Sequence, residues 1–182
     1  MFRTGDVVEV RSREEILGML QSDGRLPRDR LPFMPEMLQY CGRRFRVSSV
    51  AHKTCDTATL IMGRRMRNTV FLEDLRCDGS AHGGCQARCL LFWRTQWLKP
   101  AADASSATAT MPATPALSAT PATPATPRAP LPVIGAKCSE CQLHDATRSV
   151  TPNGEIRYSC QATEHWAASE PLRPLAVWHF VA

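Results

Sequence analysis

The side chains best suited to chemistry fall in one short stretch, Cys77-Asp-Gly-Ser-Ala-His82-Gly-Gly-Cys85-Gln-Ala-Arg-Cys89, which gathers three thiols, an imidazole and three glycines. Thiolates are soft ligands that select zinc or iron-sulfur clusters, and Gly79, Gly83 and Gly84 let a backbone wrap closely around an ion. We read the stretch as a metal-ligand loop, with Cys77, Cys85 and Cys89 as thiolates and His82 as a ligand or as a donor to one. Cys55, in His52-Lys-Thr-Cys-Asp56 at the end of a strand, is the expected fourth thiolate. The spacing of seven and then three intervening residues matches no standard zinc module. It suits equally a four-cysteine iron-sulfur cluster, whose ligands often occupy one loop plus one remote position, so zinc and iron-sulfur both stand as expected cofactors.

A second thiol group follows near the C-terminus. Cys138 and Cys141 have the CxxC spacing that points two sulfurs at one ion, and Cys160 after a hairpin would be a third ligand, as in a zinc ribbon. The second CxxC of a ribbon is missing, so His144 or His165 completes the shell, the site is open, or these thiols join the loop in one shared site. Two further readings compete. His82 lies three residues before Cys85 and could activate it as a nucleophile, although no orienting acid is evident. Cys41, beside Tyr40 and Gly42, reads as a small buried hydrophobe, and Asp56 and Asp78 read as turn residues.

The composition sets the context for such a site. At 182 residues with 43% hydrophobic side chains, the chain can form one domain plus a small appendage. Twenty-two basic against 17 acidic residues leave a formal charge of +5, which suits an anionic partner without demanding one. A nucleic-acid reading would place Arg43, Arg44, Arg46, Arg64, Arg65 and Arg67 on phosphates and stack bases on Trp93 or Trp97. Solvated strand edges explain the same arginines, and a protein partner is the expectation. No apolar run approaches the roughly 18 residues needed to span a bilayer, and Met-Phe-Arg-Thr-Gly-Asp offers no apolar signal segment. A cytoplasmic location is therefore expected, where eight cysteines would bind metal rather than form disulfides.

The elements that must hold the loop are mostly strands. Gly5–Val10 is a turn feeding a β-branched strand. Ser12 and Glu15 form a capping-box pattern for a helix from Arg13 that buries Ile16, Leu17 and Leu20 and stops at Asp23-Gly24. Between Arg25 and Pro35, three prolines alternate with Leu26, Leu31, Phe33 and Met34, predicting an extended arm across a core; Pro35 then opens a short turn that Gly42 ends. Arg43–Val50, Thr57–Met62, Thr69–Leu72 and Leu90–Trp93 read as strands, with Gly63–Asn68 a turn and Trp97-Leu98 closing the domain. Four or five short strands with one helix predict a mainly β fold, a small barrel whose closure removes exposed edges.

Gly5-Asp-Val-Val-Glu-Val-Arg11, Arg25-Leu-Pro-Arg28 and Gly42-Arg-Arg-Phe-Arg-Val47 resemble in layout the SH3-like barrel of the nitrile hydratase β-subunit family. The resemblance implies a fold and no activity; it supplies no active-site residue, and the cysteine loop has no counterpart in it. Leu31-Pro-Phe-Met-Pro-Glu-Met-Leu38 and Arg76-Cys-Asp-Gly-Ser-Ala-His-Gly-Gly-Cys-Gln-Ala-Arg-Cys89 also resemble a family of small bacterial proteins that brings no function with it.

Residues 100–132 are almost wholly Ala, Thr, Pro and Ser, a composition that predicts a disordered, semi-stiff tether. Residues 133–182 would be a small cysteine-containing module: a thiol knuckle, a turn at Thr151–Gly154, a strand over Glu155–Tyr158 and a short helix from Gln161 placing Ala162, His165 and Trp166 on one side. So small a core needs a metal or docking onto the barrel of residues 1–99. The function this predicts is a metal-binding accessory or redox protein, with an enzyme using an open metal site or activated thiol, or a small nucleic-acid-binding module, as alternatives.

Overall fold

Strand β1 (Val7–Val10) buries Val8 and Val10 completely and is flanked on both sides, by β2 (Arg44–Val50) and by β6 (Leu98–Pro100), each antiparallel to it. Strand β2 continues to β4 (Thr69–Arg76), and β4 to β5 (Leu90–Arg94), giving the order β5-β4-β2-β1-β6. Because the last strand returns to the first through a 3-10 turn at Thr95–Trp97, the sheet curls into a half-barrel, the mainly β architecture expected. A register shift between Val47 and Ser49 marks where β2 bends to serve both parts of the sheet. The computed structural model describes residues 1–55, 63–101 and 137–172; Asp56, the strand expected over Thr57–Met62 and the Ala/Thr/Pro segment from residue 102 lie outside them.

Helix α1 (Arg13–Met19) begins as its sequence predicts. The Ser12 hydroxyl accepts from the Glu15 N–H at 3.2 Å, and the Glu15 carboxylate accepts from the Ser12 N–H at 2.8 Å, so two otherwise orphaned donors are satisfied. The proline-rich arm that follows runs through the interior, and every residue from Leu31 to Leu38 is buried. Phe33 meets Trp97 and Trp93 edge-on, with centroids 5.1 and 6.3 Å apart. Both tryptophans are fully buried, so neither can stack on a nucleic acid base. The arm ends in a 3-10 turn, Pro35–Tyr40, and Gly42 at φ +72 leaves it.

The described residues 1–55, 63–101 and 137–172 belong to one compact unit. The C-terminal part consists of α2 (Glu140–Asp145), a hairpin of β7 (Arg148–Val150) and β8 (Ile156–Tyr158), α3 (Gln161–Ala168) and β9 (Glu170–Pro171). It docks onto the barrel, as its small core requires: buried Leu143 packs against Gly24, and Arg13–Glu140 and Arg25–Glu164 ion pairs close at 2.7 and 3.1 Å. Docking also reshapes the segment expected to be only a turn. Arg64–Arg65 is a strand, β3, because it pairs with β9. Helix α3 differs from expectation for the same reason. His165 is buried, stacked on Phe92 at 5.4 Å and bonded to the Thr54 hydroxyl at 2.8 Å, while Trp166 stays half-exposed over the Arg64 guanidinium at 4.8 Å.

Candidate metal centre

The cysteine loop joins β4 to β5, and a bond from the Cys77 N–H to the Cys89 carbonyl, 2.9 Å, closes its base. Within it the Asp78 carboxylate accepts from both the N–H and the hydroxyl of Ser80, confirming Asp78 as a turn residue. The Gly79 carbonyl then accepts from the N–H groups of His82 and Gly84 at 3.1 and 3.0 Å, which folds the chain back on itself. A Cβ on Gly79 would lie 2.1 Å from the Cys85 carbonyl oxygen, and its φ is +77, so no other residue fits this crossing without moving Cys85. Docking of the C-terminal part holds the loop from outside. The Thr147 hydroxyl donates to the Ala81 carbonyl at 2.7 Å, and Gly83 lies flat against the Tyr158 ring.

This folding turns His82 inward. Its Nε2 lies 3.4 Å from Cys77 Sγ, and Glu36, from the buried 3-10 turn, places Oε1 3.5 Å from the same sulfur and 3.7 Å from His82 Nδ1. All three residues are buried, and one ligand atom from each lies within 4.8 Å of the others. Glu36 Oε2 and His82 Nδ1 have no hydrogen-bond partner, an arrangement that leaves buried polar atoms unsatisfied unless something else is bound. Burial pushes the Glu36 carboxyl up from its ordinary range. It also pushes the Cys77 thiol up to about 12, with the adjacent Glu36 carboxylate adding to the shift. Both groups thus resist ionising here, and a cation would reverse that for both at once.

A cavity of about 200 Å3 adjoins the trio and is lined by Cys77, His82, Cys85, Cys89 and Cys160, closed by Leu91 and Ala162. Four of the loop's predicted ligands therefore share one space with Cys160 of the C-terminal part. The remaining candidates lie elsewhere. Cys55 is exposed, beside the bridge between Thr54 and Arg64. Cys138 is buried, its N–H bonded to the Leu17 carbonyl at 3.2 Å, and Cys141 is exposed on α2. The CxxC pair and Cys160 are thus not gathered into a ribbon, and His144 is exposed beside Tyr158. Cys41 is half-buried against the core, and burial pushes its thiol up to about 11, in keeping with a small hydrophobe.

Glu36 escaped the sequence reading. The signal was present: it is the one charged residue in the buried run Leu31–Leu38, and a carboxylate there requires a partner. The activated-thiol reading also changes. His82 pairs with Cys77 rather than Cys85, and Glu36 lies against both the sulfur and His82 Nδ1; burial, with the adjacent carboxylate adding to it, raises the thiol's pKa when a nucleophile needs it lowered.

No family model, curated protein or solved structure matches this chain.

Proposed function

We propose that this protein is a metal-binding accessory protein that holds one zinc ion between Glu36, Cys77 and His82. The observation carrying the reading is the buried convergence of a carboxylate, a thiol and an imidazole, two of whose polar atoms lack any other partner. A mixed oxygen, nitrogen and sulfur donor set suits zinc, whereas iron-sulfur clusters take mainly thiolates. The ion would tie together the 3-10 turn, the end of β4 and the loop. The adjoining cavity lets Cys89 or Cys160 complete the shell, or an exogenous ligand take that position, and the open form is the one an enzyme would use.

An iron-sulfur cluster ligated by Cys77, Cys85, Cys89 and Cys160 is the second reading, favoured by four thiols lining a single cavity. Metal analysis with a visible spectrum on anaerobically purified protein separates the two. The zinc reading expects colourless protein with about one zinc per chain, depleted in Glu36→Gln and in Cys77→Ser. Brown protein whose iron survives Glu36→Gln and is lost in Cys160→Ser selects the cluster instead. Metal-free protein with all thiols titrating freely when unfolded, and no uptake of zinc or iron on reconstitution, overturns both.

A further inference from the structure

Away from the cysteine loop, four segments surround a pocket of about 330 Å3, within the range of small-ligand sites, roughly 300–1,000 Å3. Its lining is cationic: Arg28, Arg30, Arg65, Arg67 and Arg94 face only two carboxylates, Asp29 and Glu170. Neither carboxylate opposes an incoming anion strongly, because each is already occupied. Asp29 Oδ1 accepts from Arg94 at 2.6 Å and from the Arg30 and Leu31 N–H groups at 2.7 and 3.1 Å. Glu170 is held by Arg67 at 2.8 Å and Arg65 at 3.6 Å. Among the described residues, no carboxylate pairs with Arg28 or Arg30.

The pocket is also built rather than incidental. Arg94 is nine-tenths buried and fixes three of the segments through its bonds to Asp29, to the Arg67 carbonyl at 2.8 Å and to the Ala168 carbonyl at 3.3 Å. Arg28 sits at φ +64, a backbone state unusual for a side chain of its size, in the turn closed by the Asp29 N–H and the Leu26 carbonyl at 3.0 Å. Such local strain is tolerated where surrounding structure imposes it, and here Asp29 does so.

We propose that this pocket binds the phosphate groups of a small phosphorylated molecule, with Arg28 and Arg30 as the recognising guanidiniums and Asp29 and Arg94 as positioning residues. Planar guanidinium forks match phosphate oxygens in paired hydrogen bonds, and a pocket enclosed by four segments fits a compact anion better than an extended polymer. Arg64, which the sequence suggests as a phosphate contact, takes no part. It is buried, and its guanidinium is bonded to Ser169 and the Trp166 carbonyl.

Inorganic pyrophosphate, titrated calorimetrically into the full-length protein at low salt, tests the assignment. Wild type should bind it, with affinity falling as salt rises, and Arg28→Ala/Arg30→Ala should weaken binding by at least about tenfold. Both arginines are exposed, so the double variant should keep its melting temperature, which is checked in parallel. Arg44→Ala/Arg46→Ala, altering exposed arginines outside the pocket, should bind as wild type does. Equal loss in both double variants, or no binding by wild type, overturns the proposal. So does a single-stranded oligonucleotide that binds more tightly than pyrophosphate and depends on Arg28 and Arg30, because it assigns the phosphates to a nucleic acid.

Discussion

The side-chain amide of Gln161 pairs with the backbone of Phe92 as a neighbouring strand would. The Phe92 N–H donates to Gln161 Oε1 at 2.8 Å, and Gln161 Nε2 donates back to the Phe92 carbonyl at 3.0 Å. Strand β5 is the end strand of the sheet, where backbone groups are otherwise open to pairing. One amide therefore caps part of that edge, anchors the start of α3, and sets the adjacent Cys160 beside the cavity of the candidate metal centre. The same Nε2 also reaches the Pro32 carbonyl at 3.0 Å, joining the arm that carries Glu36.

Gln161→Ala should therefore destabilise the protein by about 2–3 kcal/mol, since it removes three hydrogen bonds and leaves buried partners unsatisfied. Urea denaturation measures this loss. Limited proteolysis should show cuts in residues 161–172 before cuts in the barrel. Equal protease resistance in variant and wild type would show that docking does not depend on this contact.

Thiol reactivity should follow burial. In metal-free protein at about pH 7.5, iodoacetamide should modify Cys55, Cys85 and Cys141 first, because they are exposed. Cys77 and Cys41, whose thiols are pushed up to about 12 and about 11, should react only on unfolding. Mass spectrometry after a short pulse reads the order. Modification of Cys77 as fast as Cys85 would contradict the buried position given to it here.

The Glu36 carboxyl makes a pH prediction. Its folded-state pKa lies above the ordinary 4.5, so the folded form binds the proton more tightly than the unfolded chain does. Stability from this group is thus present below 4.5 and lost as pH rises through the raised value. In metal-free protein, Glu36→Gln should remove that loss, making the variant about 1–3 kcal/mol more stable than wild type near neutral pH and similar to it in acid. Zinc should reverse the order, because the glutamine is a poorer ligand and the bound ion compensates the carboxylate's burial. Urea curves with and without zinc at both pH values check the sign.

Gly79 and Gly84 separate backbone strain from steric exclusion. Both have positive φ, but a Cβ on Gly84 meets open space while one on Gly79 meets the Cys85 backbone. Gly84→Ala should cost about 1 kcal/mol, from conformation alone. Gly79→Ala should cost more, about 1–3 kcal/mol beyond that, and should abolish zinc retention by displacing His82 and Cys85 while circular dichroism of the barrel stays unchanged. Zinc content after dialysis is the decisive readout.

Local rules were enough to read much of this fold. The Ser12–Glu15 capping box, the buried arm from Leu31, the alternation over Arg44–Val47 and the Pro35-to-Gly42 turn all depend on neighbours in sequence, and each forms where periodicity and backbone preference place it. The alternation stops at the register shift after Val47, which leaves Ser49 exposed. The loop Cys77–Cys89 was equally legible as a turn-rich gathering of thiols, an imidazole and glycines, because glycine and thiol content are local properties. What no local rule contains is which distant residues join it. Glu36 enters from 41 positions upstream on the buried arm, and Cys160 enters because Gln161 pairs with the edge of β5. Arg64–Arg65 becomes a strand only because β9 lies against it. Composition and spacing thus determined that this chain is a mainly β protein with a cysteine-rich loop. Tertiary structure decided the members of the site, since burial and long-range pairing, set by the packed whole, choose among thiols that sequence presents as equivalent.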